Sequence, residues 1–356
     1  MKKIMFTGGG SAGHVTPNLA LMDKLRSKGW AIEYVGSETG IEKQIIEGLG
    51  TTPYHPIPSG KLRRYFDLKN FKDPFKVVHG VLKAYTLIRK QKPNLIFSKG
   101  GFVSVPVVLG GWMNRVPVII HESDMTPGLA NKLSIPFATK VCVTFEESLQ
   151  HVSGDKAVHT GPPIREELFQ GNAKKALQLC DFVSSKPVML VMGGSLGSVK
   201  INQNVRDALE QLLPHFQIVH LCGKGNLDPA WDGRQGYRQF EYIQEEMRDV
   251  LALADVVVCR AGSNSIFELL ALHKPMLLIP LSRQASRGDQ ILNAESFAAK
   301  GYSRVLEEEQ LTPERLTSTV LEVYRDRDRY VSAMKKSNVR SSVDHIIALV
   351  EEQAKL

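Results

Sequence analysis

The chain of 356 residues predicts an α/β protein built from two Rossmann-like, doubly wound parallel-sheet domains facing a cleft. Three observations carry that prediction. Apolar strand-like runs alternate with helical stretches along the chain, the order expected of parallel strands joined by helical crossovers. Two glycine-rich loops, Gly8-Gly9-Gly10-Ser11-Ala12-Gly13-His14 and Gly193-Gly194-Ser195-Leu196-Gly197-Ser198, each follow such a run and open a helix. The length also exceeds what one hydrophobic core usually spans.

In the first half, the spacing predicts strands at 3–7, 32–36, 95–98, 118–121 and 141–145, with helices at 14–28, 75–90 and 103–113. Short, nearly continuous apolar runs bounded by Gly or Pro read as strands buried on both faces, and 3.6-residue periodicity reads as helix. The second half repeats the scheme, with strands at 188–192, 218–221, 256–259 and 276–280 and helices at 201–213, 264–272 and 290–300. A boundary is expected between 160 and 186, where Gly161-Pro162-Pro163 and Ser184-Ser185-Lys186-Pro187 flank a polar helical stretch. The domains are therefore expected at 1–163 and 164–340, with 341–356 a closing helix that packs back on the first domain. Residues 330–356 read as one long amphipathic helix.

Composition fits a globular protein, with 43% hydrophobic and 23% charged residues and no sign of disorder. Cys142, Cys180, Cys222 and Cys259 lack C-x-x-C spacing, and three lie in strand-like runs, so they read as reduced core thiols of a cytosolic protein. The first apolar run is broken at once by glycines, which argues against a signal peptide. The most apolar window, 103–120, is interrupted by Pro106, Asn114, Arg115 and Pro117, which argues against a bilayer-spanning helix.

A net charge of +8 invites anionic partners. The basic residues concentrate in 61–83, where Lys61, Arg63, Arg64, Lys69, Lys72, Lys76 and Lys83 are interleaved with aromatic and aliphatic side chains. That mixture is the chemistry of a peripheral contact with an anionic membrane surface, expected through Phe71, Phe75 and Leu82, with Trp112. Charge alone also admits nucleic acid, but the chain carries no recognisable nucleic-acid motif.

Each glycine loop is a candidate phosphate cradle, since glycine lets N–H groups crowd an anion and the following helix adds its positive end. Gly8 to Gly13 satisfies G-x-G-x-x-G, and Glu33 lies in the next strand, so a dinucleotide reading stays open on that loop. The second half holds two further polar groups. Arg260 to Glu268 leaves a strand and starts a helix, with Gly262, Ser263 and Asn264 suited to phosphate and Glu268 to ribose hydroxyls. Ser286-Arg287-Gly288-Asp289-Gln290 offers an acid and an amide suited to sugar hydroxyls. Glu268 as a solvated helix residue and Asp289 as an N-cap are the alternatives. Both motifs together favour a nucleotide-sugar site.

These residues, with Ser98-Lys99-Gly100-Gly101-Phe102-Val103-Ser104-Val105-Pro106 and His121-Glu122-Ser123-Asp124, resemble the signature set of the MurG family along essentially the whole chain. The resemblance implies a glycosyltransferase-B fold working without an essential bound metal or other cofactor. It implies inverting transfer of N-acetylglucosamine from UDP-N-acetylglucosamine to undecaprenyl-diphosphate-linked muramoyl-pentapeptide, the lipid I to lipid II step of peptidoglycan synthesis. A UDP-N-acetylglucosamine 2-epimerase-like enzyme of the same fold is the alternative.

Carried onto this chain, the resemblance implies donor contacts at Ser11, Ala12, Gly13, Asp124, Arg165, Ser195, Ile243, Gly262, Ser263, Asn264, Glu268, Asp289 and Gln290. Gly10, Gly13, His14, Gly100, Gly101 and Ser104 would face the acceptor diphosphate. His14 or Glu122 would serve as the base for the acceptor hydroxyl. The chain departs from the family where a frequent Asn is Asp124, a common Gln is Leu196, and a Gln-Gln or His-Gln pair is Asp289-Gln290. A lipid-linked acceptor implies peripheral residence on the cytoplasmic face of the cell membrane, among other cell-wall synthesis proteins, and no nucleic-acid partner.

Overall fold

The structure is a computed structural model and describes residues 1–59, 73–194, 196–284, 286, 288–337, 339 and 342–355. It divides into two compact units, Met1–Arg165 with Arg340–Leu356, and Glu166–Val339.

In the first unit, β1 (Lys3–Thr7), β2 (Ala31–Ser37), β3 (Tyr54–Ile57), β4 (Leu95–Ser98), β5 (Val118–Glu122), β6 (Lys140–Val143) and β7 (Ala157–His159) form a parallel sheet ordered β3-β2-β1-β4-β5-β6-β7. Helices α1 (Thr16–Ser27), α2 (Ile41–Gly48), α3 (Asp73–Gln91), α4 (Ser104–Met113) and α5 (Leu129–Ser134) connect the strands. Strand alternation divides the core between two faces. Ile4, Phe6, Ile32, Tyr34, Phe97 and Ile119 pack with Leu21 and Leu25 of α1. Met5, Val35, Ile96, Val118 and Ile120 pack with Ile88 of α3 and Val107 and Val108 of α4.

The second unit repeats the topology. Its strands β8 (Val188–Met192), β9 (Gln217–Leu221), β10 (Tyr237–Phe240), β11 (Val256–Cys259), β12 (Met276–Leu278) and β13 (Ser303–Val305) are ordered β10-β9-β8-β11-β12-β13, all parallel. Its helices are α6 (Ala173–Cys180), α7 (Val199–Asp207), α8 (Leu209–Leu212), α9 (Met247–Leu253), α10 (Ser263–Ala271), α11 (Asp289–Ala299), α12 (Pro313–Arg325) and α13 (Arg327–Met334). In both sheets the first strand stands where the strand order reverses, and a glycine loop leaves each of them there. That reversal is where open α/β sheets bind ligands.

The long helix expected over 330–356 is two helices instead. Tyr330 and Met334 of α13 are buried in the second unit, whereas α14 (Ser342–Gln353) buries Ile346, Ile347 and Val350 against the Ile4–Phe6 face of the first sheet. Two apolar stripes serving two cores cannot share one straight rod. Ion pairs Lys24–Asp344 at 3.2 Å and Lys28–Glu351 at 2.8 Å join α14 to α1. The helix expected at 201–213 likewise breaks, at Ala208 between α7 and α8. All four cysteines are free and buried.

Candidate active site

The first glycine loop runs from the end of β1 into a 3-10 turn, Ala12–His14, ahead of α1. Gly10 has φ +86°, and Gly100 and Gly101 in the loop after β4 have φ +94° and +84°. The two loops touch through their backbones. The Gly9 N–H donates to the Gly100 carbonyl at 3.3 Å, and a Cβ on Gly101 would lie 2.2 Å from the Gly9 carbonyl oxygen. Ser104, buried at the start of α4, gives its hydroxyl to the Gly101 carbonyl at 2.7 Å, so it shapes that loop from within.

His14 closes the first loop. Its Nδ1 lies 3.1 Å from the Gly9 carbonyl and 3.0 Å from Ser11 Oγ. A carbonyl only accepts, so Nδ1 carries the proton of the neutral ring and Nε2 holds the lone pair. Burial, then the nearby Lys99 ammonium, lower the His14 pKa below its ordinary 6.5, although Asp124, the Gly9 bond and Glu42 oppose them. The ring is therefore a neutral proton acceptor at neutral pH.

Sequence reasoning missed Glu42, at the start of α2. It is fully buried, and its carboxylate accepts from the Gly10 N–H at 3.1 Å, the Ser37 N–H at 3.0 Å and the Ser37 hydroxyl. Cβ atoms on Gly9, Gly36 or Gly40 would each come within 3 Å of this side chain. Burial alone would raise its pKa, but the hydrogen bonds from Ser37, its own amide and Gly10 outweigh that and lower it. One N–H of the supposed phosphate cradle is thus committed to a buried carboxylate. Only the convergence of glycines around one acid, visible in three dimensions, identifies it.

Beneath the loop lies a second buried group. Lys99, after β4, is 1% exposed, and its ammonium donates to His121 Nδ1 at 2.8 Å and to the Ser123 hydroxyl. His121 donates through Nε2 to the Gly161 carbonyl at 3.0 Å, which leaves Nδ1 free to accept. Glu122, at the end of β5, accepts from the Asp124 N–H at 3.0 Å, the Gly128 N–H at 3.1 Å and Asn131 Nδ2 at 2.8 Å. Burial and the neighbouring Asp124 raise the Glu122 pKa. Glu33 stands apart from these groups. It sits early in β2, ion-paired with Lys3 at 2.8 Å and within hydrogen-bond distance of His55 Nε2 at 3.0 Å, rather than at the strand end where a dinucleotide ribose would be read.

In the second unit, the loop after β8 is held by backbone contact. Gly197, at φ +76°, has room only for hydrogen, because a Cβ would lie 1.9 Å from the Cys222 carbonyl oxygen. Ser198 caps α7 by accepting from the Ile201 N–H. Ser195 lies outside the described residues; Leu196 beside it is 84% exposed. Gly262 precedes α10 with open space where a Cβ would stand, and no side chain caps the helix. Ser263 is buried, while Asn264 and Glu268 are half-buried along α10. Ile243, in the loop after β10, is buried, and Arg165 is half-buried where the first unit ends.

Asp289 and Gln290 begin α11 behind Gly288, whose φ is +87°. Gln290 uses its carboxamide oxygen to accept from the Leu281 N–H at 3.1 Å. Arg287 lies outside the described residues. Arg260, the first residue of its motif, points inward: it binds Glu308, Ser198 Oγ at 2.7 Å, and the Ile279 and Pro280 carbonyls at 3.2 Å. One guanidinium thus ties the second glycine loop to the end of β12, while Glu308 also accepts from the Ser282 N–H at 3.3 Å.

The structure therefore gathers Gly10, Ser11, Ala12, Gly13, His14, Gly100, Gly101, Ser104, Glu122 and Asp124 at the C-terminal ends of the adjacent strands β1, β4 and β5. It gathers Gly262, Ser263, Asn264 and Glu268 beside the second glycine loop at the ends of β8 and β11, with Asp289 and Gln290 following β12. Among the described residues no cluster of three or more His, Cys, Asp or Glu side chains could hold a metal ion.

The apolar surface of the first unit is also visible. Val78 and Leu82 on α3, Trp112 and Met113 at the end of α4, and Leu129 and Leu133 on α5 are exposed, Leu82 and Trp112 by 56% each. Phe71 lies outside the described residues; Phe75 falls within α3. No helix among the described residues is long and apolar enough to cross a membrane.

Comparison with known proteins agrees with this layout. The glycosyltransferase family 28 N-terminal domain matches residues 4–143 and the family 28 C-terminal domain matches residues 188–349. A Geobacillus thermodenitrificans protein named UDP-N-acetylglucosamine–N-acetylmuramyl-(pentapeptide) pyrophosphoryl-undecaprenol N-acetylglucosamine transferase is 58% identical over 99% of both chains. A Bacillus cereus protein of the same name, numbered 2, is 59% identical over 99% of this chain and 100% of its own. Among solved structures, Acinetobacter baumannii MurG superposes with a TM-score of 0.77 at 24% identity over 99% of this chain and 100% of that one. A putative UDP-N-acetylglucosamine 2-epimerase from Listeria monocytogenes reaches 0.72 at 12% identity over 100% and 97%, so the fold alone does not separate the two activities.

Proposed function

The chain belongs to glycosyltransferase family 28, within the MurG family, and on that premise we propose how its residues divide the work of transfer. It transfers N-acetylglucosamine from UDP-N-acetylglucosamine to undecaprenyl-diphosphate-linked muramoyl-pentapeptide, with inversion at the anomeric carbon. The observation that carries this is the near-60% identity, end to end, to transferases of that name.

His14 is the base. Its Nδ1 is occupied by the Gly9 carbonyl, so Nε2 takes the acceptor hydroxyl proton as the oxygen bonds to the anomeric carbon. The bond to the donor phosphate breaks with its electron pair leaving on UDP. Glu122, with both carboxylate oxygens already accepting from three donors, organises the Asp124–Asn131 turn rather than receiving that proton. The N-terminal end of α10, with Ser195 and Arg165, meets the leaving charge without a resident metal, and Glu268 holds the ribose. Asp289 and Gln290 read the transferred sugar, and the uracil lies along the backbone at Ile243. Exposed Leu82, Trp112, Leu129 and Leu133, beside exposed Lys83 and Lys132, hold the enzyme on the anionic cytoplasmic face of the membrane where its acceptor resides.

Release of UDP from UDP-N-acetylglucosamine, measured with and without a short-chain lipid-linked muramoyl-pentapeptide, tests this assignment. UDP release should require the acceptor. His14→Ala should lower kcat by roughly 10²- to 10⁴-fold, and Glu268→Ala should abolish donor saturation. Donor consumption that ignores the acceptor would sink the reading in favour of epimerase-type chemistry.

A further inference from the structure

A single peptide joins Glu42 to His14. On its N–H edge, Gly10 donates to Glu42 Oε2 at 3.1 Å, and on its C=O edge, Gly9 accepts from His14 Nδ1 at 3.1 Å. The two edges of this trans peptide point in opposite directions, so one rigid plane stands between a buried carboxylate and the imidazole ring. A peptide flanked by glycine on both sides meets little steric resistance to turning over, because neither residue has a Cβ to clash with the moving oxygen. Gly10 is exposed at φ +86°, and a Cβ there would meet nothing within 4 Å, so packing against Gly10 does not fix the plane. The neighbouring groups of the loop have other partners: the Tyr34 hydroxyl donates to the Gly8 carbonyl at 2.8 Å, Asn18 Nδ2 to the His14 carbonyl at 3.4 Å, and the Gly9 N–H to the Gly100 carbonyl at 3.3 Å. The Gly9–Gly10 plane itself is oriented by Glu42.

We propose that Glu42 is a positioning residue for the transfer: by holding the Gly10 N–H it orients the Gly9 carbonyl, which keeps the His14 proton on Nδ1 and the lone pair on Nε2. This deepens the reading of His14 as the base and rests on it. A neutral imidazole carries its proton on either nitrogen, and the bond made at one nitrogen decides which. Were the plane to turn over, its oxygen would face the Glu42 carboxylate, and His14 Nδ1 would keep Ser11 Oγ, at 3.0 Å, as its neighbour. A hydroxyl donates as readily as it accepts. Donation to Nδ1 would leave the ring proton on Nε2, where the base needs its lone pair.

The anchoring of Glu42 suits that task. Its Oε1 accepts both the Ser37 N–H at 3.0 Å and the Ser37 hydroxyl, which fixes the side chain at the end of β2 and leaves Oε2 for the loop. Ser37 is held in turn, because the Tyr54 hydroxyl donates to its carbonyl at 2.6 Å. A Cβ on Gly9 would stand 2.5 Å from the Glu42 carboxyl carbon, so glycine at that position lets the carboxylate reach the loop. Space alone could be filled by an apolar side chain at lower desolvation cost. An apolar side chain would lack the two oxygens that divide between Ser37 and Gly10.

The test is a cycle of Glu42→Gln, His14→Ala and the double variant in the full chain, read by acceptor-dependent UDP release, nitrogen NMR of the imidazole and thermal melting. With its carboxamide oxygen toward the two Ser37 donors, Glu42→Gln turns an NH2 group toward the Gly10 N–H, donor against donor. Well below the melting temperature it should lower kcat by roughly 10- to 100-fold, leave KM for both substrates near the parent, and move the ring proton from Nδ1 toward Nε2. In the His14→Ala background it should cost nothing further, because Glu42 acts through that ring. Independent losses that multiply in the double variant, or a Glu42→Gln chain with parental kcat and its ring proton still on Nδ1, would overturn the proposal. If Glu42→Gln does not fold, the parent decides. Its exposed Gly10 amide should exchange slowly with solvent and its neutral His14 ring should carry the proton on Nδ1; a fast-exchanging amide or a proton on Nε2 would overturn the proposal. A parent chain without acceptor-dependent UDP release would instead break the functional reading, whereas the response of the ring to Glu42→Gln reports on the peptide link alone.

Discussion

The two glycine loops occupy the same place in the same topology, yet they are supported by different chemistry. The loop after β1 rests on buried ionisable groups: Glu42 holds the Gly10 N–H, and Lys99 and His121 lie underneath. The loop after β8 rests on close backbone approach at Gly197 and on the Arg260 guanidinium, which is paired with Glu308 and bonded to Ser198 Oγ. Topology decides where a ligand loop stands, and the buried side chains decide what holds it there.

The largest effect should come from filling the space between backbones. Gly101→Ala and Gly197→Ala each place a Cβ about 2 Å from a carbonyl oxygen at positive φ, so both should lower stability by more than about 3 kcal/mol in chemical denaturation. Gly10→Ala and Gly194→Ala share the positive φ but meet nothing within 4 Å, and should lose only about 1–2 kcal/mol. Equal losses across the four would mean that close approach does not hold either loop.

An intermediate effect should separate the loops by pH. Glu42 has its pKa lowered from 4.5 in the folded chain, so its stabilisation is present above that value and is lost as pH falls through the lower one. Glu42→Gln should therefore lose about 1–3 kcal/mol at pH 7 and converge on the parent in acid. A difference independent of pH would show that the carboxylate charge does not brace the loop.

The smallest effect on the fold should come from the surface. Leu82→Ser with Trp112→Ser should change stability by less than about 1 kcal/mol while weakening sedimentation with anionic vesicles. Leu196→Ser, at a still more exposed leucine of the second unit, should leave sedimentation unchanged. Sedimentation that follows Leu196 instead would move the membrane contact to the other unit.

The interior strands were legible because strands buried on both faces read as continuous apolar runs; β1, β4, β8 and β11 fall at the expected residues. The strands missed are β3, β7, β10 and β13, the edges of the two sheets. They are short and carry polar or breaking residues such as Pro56, His159, Arg238 and Arg304, because an edge has one neighbour and often one wet face. The separation of α13 from α14 was illegible for a related reason: hydrophobic periodicity marks an apolar stripe without saying which core receives it.

The sequence by itself determined the doubling of the α/β pattern, the two glycine loops and the family to which they belong, because glycine spacing and apolar runs are local properties of the chain. Only the tertiary structure decided what lies behind those loops. Glu42 and Lys99 are ordinary charged residues in sequence. Their importance arises from burial against loops that leave strands the fold makes adjacent, where desolvation and a few hydrogen bonds outweigh everything their neighbours in sequence specify.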